Sequence, residues 1–413
     1  MEEEEAGCKK ELAEHFFRHS YAKMVAILVR YFGLQEVEMA EDIVQDTLVE
    51  AMEKWSVQSI PNNPEGWLMS VAKKKTINFL KRKQTFESKV RSTIQFKALF
   101  EANGQAVERD STLRMIFTCC HPSLPVEAQI ALALKTLCGL SVSEIANALL
   151  TSESTINKRL YRAKQKFRDG SITFAIPDPR NLDQRLAAVF TTLYLLFNEG
   201  YYSSHHEKVI RIDLCFEAIR LVKEVLEFYP NSHPAKALLA LMFLSVARFE
   251  SRIDEQGALV ILAEQDRELW DKALIAEGMD YLHQSTEGNE ISAYHLQAGI
   301  AAEHCLATNF ASTNWASIYR QYSMLEQLQP NVFFTFNKAI AKFFGINQEE
   351  ALMDLLALKK EQALQSNSQF YASLGMLHAE MGLAQEALSY FQKALSFSKS
   401  TQEKALIEQR INQ

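Results

Sequence analysis

The chain has no apolar run approaching the 18 or more residues of a membrane span, and its longest, Ala237 to Leu244, has the length of a buried helix segment. No basic and apolar pattern at the amino terminus marks a secretory signal, so a cytoplasmic protein without a membrane partner is expected. Cysteine is sparse: six residues without regular spacing make no disulfide framework. Cys119, Cys120 and His121 are neighbours, but adjacent thiols lack the pairwise spacing of zinc ligands and no second Cys or His pair follows nearby. They are read as packing residues, and His205-His206 as surface, so no metal and no cofactor is expected. Gln265 to Asp271 could pass for a catalytic cluster, but no nucleophile, base and orienter constellation is evident there. The segment Gln265-Asp266-Arg267-Glu268-Leu269-Trp270-Asp271 reads instead as a salt-bridged packing network.

Positive charge is in overall deficit, with a net charge of -7. That weighs against nucleic acid only until the chain is divided at Gly170. Residues 1–170 carry 24 Lys plus Arg against 22 Asp plus Glu, and the remainder 20 against 29, so the acidity belongs mainly to the C-terminal part. A length of 413 residues suggests about three domains.

What is present is a helix-turn-helix pattern from Ser141 to Phe167. Ser141 and Glu144 have the spacing of a capping box, opening a helix that turns Ile145, Ala146 and Leu149 inward. Thr151 or Ser152 can cap a second helix whose Ile156, Leu160, Ala163 and Phe167 share one face. Its other face holds Ser154, Thr155, Asn157, Lys158, Arg159, Arg162, Lys164 and Lys166, groups that reach base edges and phosphates in a major groove. The pattern alone leaves open a solvated basic face on an ordinary helix hairpin.

A second basic helix is predicted from Trp67 to about Lys83, after a turn-rich loop. Leu68, Val71, Ala72, Thr76, Phe79 and Leu80 make its buried face; Lys73, Lys74, Lys75, Asn78, Lys81, Arg82 and Lys83 surround it. Eight basic residues and one acid between Lys73 and Arg91 are a density suited to displacing counterions from a phosphate backbone. Before it, Ile43, Thr47, Leu48 and Ala51 pack on one side of a helix that leaves Glu41, Asp42, Gln45, Asp46 and Glu50 outward. That acidic stripe reads either as a solvated face or as a docking surface for a basic partner.

These residues resemble a known family, the bacterial sigma-70-type transcription initiation factors of the extracytoplasmic-function group, in the subgroup with a long helical extension of tetratricopeptide-like repeats. AEDIVQDTLVEAMEKW and IPNNPEGWLMSVAKKKTINFLKRK look like sigma domain 2, and LRMIFTCCHPSLPVEAQIALALKTLCGLSVSEIANALLTSESTINKRLYRAKQKF looks like sigma domain 4. The likeness continues through LYLLFNEGYYSS, PAKALLALMFLSVARFESRID, EQDRELWDKALIAEG and NWASIYRQYSMLEQLQPNVFFTFNKAIA. It implies an all-α chain: sigma domain 2 over residues 1–85, a linker over 86–108, sigma domain 4 over 109–170, and a helical extension over 177–413. It also implies core RNA polymerase and promoter DNA as partners. Glu41, Asp42, Gln45 and Asp46 would dock on the polymerase. Trp67, Lys73, Lys74, Lys75, Asn78, Lys81, Arg82 and Lys83 would engage the minus-ten element, and Ser154, Thr155, Asn157, Lys158, Arg159 and Arg162 the minus-thirty-five element. One departure is that the family often carries an acid where this chain has Asn78, and Arg where it has several Lys; lysine gives charge without a bidentate fork.

Beyond the Pro177 and Pro179 boundary, residues 368–401 fit a tetratricopeptide unit, with Tyr371, Leu374, Gly375, His378, Gly382, Ala387, Phe391 and Ala394 at its small and large packing positions. Ala341 and Ala351 suggest a weaker preceding unit. Such repeats make a scaffold or a concave surface for a regulatory protein or peptide. The expectation is an alternative sigma factor, not an enzyme, regulated through its extension; the alternatives are a helical-repeat peptide-binding scaffold or a non-sigma helix-turn-helix regulator.

Overall fold

In a computed structural model the described residues are 16–17, 20–55, 60–83, 104–149, 151–201, 212–254, 259–288, 290–398 and 401–412. Among them the chain is helical, with no strand beyond one isolated bridge between Ile253 and Leu259. No described helix is long and apolar enough to cross a membrane. The helices divide into two units, residues 1–200 with 211–224, and residues 201–210 with 225–413.

The first unit opens with α1, residues 20–32, which buries Met24, Val25, Leu28 and Val29. Gly33 stops it at φ 89°, a left-handed conformation that costs glycine little, and its N–H donates to the Val29 carbonyl. Helix α2, Val37–Lys54, buries Val37, Ala40, Ile43, Val44, Thr47 and Ala51. Helix α3 runs Pro64–Lys83, three residues ahead of the predicted start at Trp67. The missing N–H of Pro64 costs nothing in a first turn, and Asn63 Oδ1 accepts from Gly66 N at 2.9 Å. Leu68, Ala72 and Thr76, each one turn apart, are its described buried residues.

Helices α4, Gly104–Cys119, and α5, Val126–Thr136, bury Leu113, Ile116, Phe117, Ile130, Leu132 and Leu134. Gly139, at φ 63°, lets Leu140 N return to the Leu134 carbonyl, closing α5. Helix α6, Val142–Ala148, starts from the predicted capping box: Ser141 N donates to Glu144 Oε2 at 2.7 Å and Glu144 N to Ser141 Oγ at 3.2 Å. Ser152 then caps α7, Glu153–Arg168, accepting from Thr155 N. The expected inner face of α7, Ile156, Leu160, Ala163 and Phe167, is buried throughout. Helices α8, Leu182–Tyr201, and α9, Ile212–Phe228, follow. The α8 side chains of Arg185 and Thr192 reach back to the Phe117 carbonyl and to Cys120 Sγ, so α8 closes over α4.

In the second unit α10, His233–Val246, α11, Lys272–Ser285, α12, Ala293–Leu306, α13, Trp315–Leu328, α14, Val332–Gly345, α15, Gln348–Ala357, α16, Ser368–Glu380, α17, Ala384–Phe397, and α18, Thr401–Ile411, follow one another as packed neighbours. Asn314, Asn331, Asn347 and Asn367 each cap one of α13 to α16, accepting a backbone N–H at the helix start. Gly375 lets α16 meet α17: a Cβ there would sit 2.7 Å from the Phe391 ring. Tyr371, Leu374, His378, Ala387 and Ala394 are buried around that contact, and Ala341 and Ala351 are buried one helix pair earlier.

Candidate nucleic-acid interface

Helix α7 holds the polar groups of its first turns, from Ser154 to Arg162, on an open surface. Ser154, Asn157, Lys158 and Arg162 are exposed, Thr155 and Arg159 half-exposed, and among the described residues no ion pair holds Lys158, Arg159 or Arg162. Tyr161, 60% exposed on the same face, was missed in the sequence reading; its place one turn beyond Asn157 and Lys158 was the available signal. Gln165 Nε2 donates to its hydroxyl at 2.9 Å. The cations of the last two turns are engaged: Lys166 donates to the Ser123 carbonyl, Arg168 pairs with Glu38, and Lys164 Nζ lies 2.6 Å from Glu41 Oε2.

The Glu41 contact corrects an expectation. Glu41 does not face outward; it is 6% exposed, because residues 37, 41 and 44 fall on one stripe of α2. Its burial is tolerated because Lys164 supplies the counter-charge, while Glu41 Oε1 has no hydrogen-bond partner. Lys135 stands nearby, its ammonium pushed down by burial and drawn up by Glu41. Burial also raises the Cys119 thiol well above its ordinary range, with the Cys120 and Glu41 charges acting in the same direction. Of the other four residues of the stripe, Asp42, Gln45 and Asp46 are exposed and Glu50 is half-exposed.

On α3, Lys74 and Asn78 are exposed, and Lys73 half-exposed. Lys75 is tied to α2, 3.1 Å from Glu50 Oε2 and 3.1 Å from the Asp46 carbonyl. Hydrogen bonds from Lys54 and Lys75 hold the Glu50 carboxyl below its usual range. Trp67 is half-buried against Trp55 with ring centres 5.3 Å apart, and Trp55 stacks on Phe17 at 5.9 Å. The side chains of Lys81, Arg82 and Lys83 lie outside the described residues.

Residues 16–86 match the family described as Sigma-70 region 2, and residues 114–167 the family described as Sigma-70, region 4. The chain belongs to the sigma-70 family. Within it this sigma factor is of the extracytoplasmic-function type, and residues 185–286 of its C-terminal extension match a family of unknown function, DUF6596. It is 34% identical over 351 residues to the uncharacterized protein R00370 of Rhizobium meliloti (strain 1021), covering 83% of this chain and 81% of that protein. It is also 29% identical over 140 residues to the ECF RNA polymerase sigma factor SigE of Mycolicibacterium smegmatis, covering 32% of this chain and 51% of that one.

Proposed function

We propose that this sigma factor docks on core RNA polymerase through the α2 face carrying Asp42, Gln45 and Asp46. In the same reading α3 engages the minus-ten element and assists strand opening, and α7 reads the minus-thirty-five element from Ser154 to Arg162. The observation that carries the reading is the divided surface of α7, whose first turns are open and polar while its last turns are committed to protein contacts. Groups at the start of a recognition helix are the ones that enter a major groove.

The two DNA-binding helices cannot serve together in this arrangement. Elements about 25 base pairs apart are separated by roughly 85 Å of duplex at 3.4 Å per pair. Lys164 on α7 is instead 2.6 Å from Glu41 on α2. The arrangement is a closed one that parts when polymerase and promoter are engaged: the 20 residues between Lys83 and Gly104 reach up to about 70 Å, and the helices between Gly104 and α7 add to that span. The C-terminal extension regulates this transition by receiving a protein or peptide at its repeats.

The test is transcription in vitro with reconstituted polymerase on the chain's own upstream region. Replacing Arg159 and Arg162 with Ala is expected to lower promoter-specific initiation at least tenfold while core-polymerase pull-down stays intact; losing the pull-down in the folded double variant counts against the assignment. Asp42→Ala with Asp46→Ala should show the reverse dependence. Removal of residues 229–413 should change the response, and unchanged initiation with unchanged signal response would remove the regulatory role.

A further inference from the structure

The salt-bridged network expected for Gln265 to Asp271 is not what forms: among the described residues neither Arg248 nor Arg267 pairs with a carboxylate, and both rest on the Trp270 ring. Their acceptors, the His304 and Ala307 carbonyls and Gln265 Oε1, are the protein's own. A polar pair directed outward lies on α7 instead. At about 100° per residue, Ser154, Lys158, Tyr161 and Gln165 fall on one stripe, opposite the buried Ile156, Leu160, Ala163 and Phe167. Arg159 stands to one side of that stripe and is half-exposed. Tyr161 and Gln165 therefore hold the centre of the open face, although neither was among the residues expected to engage the minus-thirty-five element.

One hydrogen bond sets the chemistry of this pair. Gln165 Nε2 donates to the Tyr161 hydroxyl at 2.9 Å across one helical turn, and among the described residues no other hydrogen bond engages that hydroxyl. A phenol has one proton to give and lone pairs to receive. With a lone pair occupied by the amide, the hydroxyl's own proton is left to be donated outward. Tyr161 is 60% exposed, so whatever lies against this face of α7 meets that proton. The same bond restrains the ring, because its tip is held to a half-exposed side chain rather than left to swing.

We propose that Gln165 fixes the Tyr161 hydroxyl as a hydrogen-bond donor, and that Tyr161 donates to the keto oxygen of one minus-thirty-five base, O6 of guanine or O4 of thymine. The inference rests on the reading of α7 as the helix that enters the major groove. In that groove guanine O6 and thymine O4 accept, where adenine N6 and cytosine N4 donate. Each base pair joins one keto base to one amino base. A fixed donor at that position therefore distinguishes a pair from its own inversion, and treats guanine and thymine on the read strand alike. A donor set against an amino group leaves both unmade, which costs more than a bond merely absent. Gln165 touches no base in this account; it is a positioning residue.

The experiment uses the full chain bound to core polymerase. Every single-pair substitution of the minus-thirty-five element in the chain's own upstream region is transcribed in vitro with the parent chain and with Tyr161→Phe, Gln165→Leu and Gln165→Glu. At one pair the parent should initiate about fivefold better from guanine or thymine than from adenine or cytosine on the same strand, the worth of one hydrogen bond. Tyr161→Phe should level that preference. Gln165→Leu should level it too, because the released hydroxyl turns to donate or to accept. Gln165→Glu should invert it: the carboxylate accepts from the hydroxyl and leaves only lone pairs for an amino group, while its charge lowers initiation on every template. A Gln165 that only supported the helix would change initiation overall and leave the preference where it was. An unaltered preference in any of the three variants overturns the proposal, as does a parent chain with no keto preference at any pair, or with the purine preference that donation to N7 would give. Arg159→Ala with Arg162→Ala separates the inference from the reading beneath it. Undiminished initiation in that double variant would remove α7 as the reader, whereas lost initiation there, with parental preferences kept by the Tyr161 and Gln165 variants, would overturn this inference alone.

Discussion

At the scale of single residues, Gly375 and Glu41 show opposite limits of sequence reasoning. Gly375 was readable as a small packing position, and its reason is steric: an added methyl would meet the Phe391 ring at 2.7 Å. Gly375→Ala should destabilise the second unit by about 1–3 kcal/mol, the usual cost of overpacking, despite the gain in helix propensity. Chemical denaturation followed by far-ultraviolet circular dichroism reads this directly, and an unchanged midpoint would show that α17 yields freely. Glu41 was misread because a carboxylate on a helix is ordinarily outward. Its spacing from Val37 and Val44 puts it on the inner stripe of α2, and a lysine 123 residues away supplies the charge that lets it stay there. Cys119 and Cys120 were read as packing and both are buried, with burial holding the Cys120 thiol up at about 12. At neutral pH both thiols stay protonated, so iodoacetamide should leave them unlabelled in the folded protein and label them only after denaturation.

At the scale of elements, α7 was legible almost completely. Its cap, its four buried residues and its polar face all follow from local spacing, because a helix-turn-helix encodes its packing within a few turns. What local spacing could not give was the role of its last two turns, which meet α2 through Lys164 and Arg168. A charge exchange tests that contact. Lys164→Glu should separate α7 from α2, as should Glu41→Lys, and the two together should restore the contact. Energy transfer between labels at Gln45→Cys and Asn157→Cys, both exposed positions, reports the distance. Additive single and double effects, with no restoration, would show the pair to be incidental.

At the scale of the whole molecule, a sequence break and a structural break differ. The proline-rich stretch near Pro177 reads as a boundary, yet α8 lies beyond it and still packs on α4. Periodicity gave α8 an apolar face without saying which surface covers it. A chain ending at residue 176 should therefore expose Phe117 and Cys120 and unfold at lower temperature than one ending at residue 228. Equal melting of the two fragments would show that α8 is dispensable to the first unit.

The contact between Lys164 and Glu41 has a further effect, on the apparent strength of polymerase binding. If docking requires α7 to leave α2, the measured dissociation constant is the intrinsic one divided by the fraction of molecules already open. A contact that leaves one molecule in a hundred open makes a good ligand look about a hundredfold weaker. On the proposed reading, salt has two opposed effects: it loosens the exposed Arg168–Glu38 pair, raising the open fraction, while it weakens the phosphate contacts proposed for α3 and α7. Initiation should then peak at an intermediate ionic strength rather than fall steadily, the shared minor state setting one slope and the DNA backbone the other.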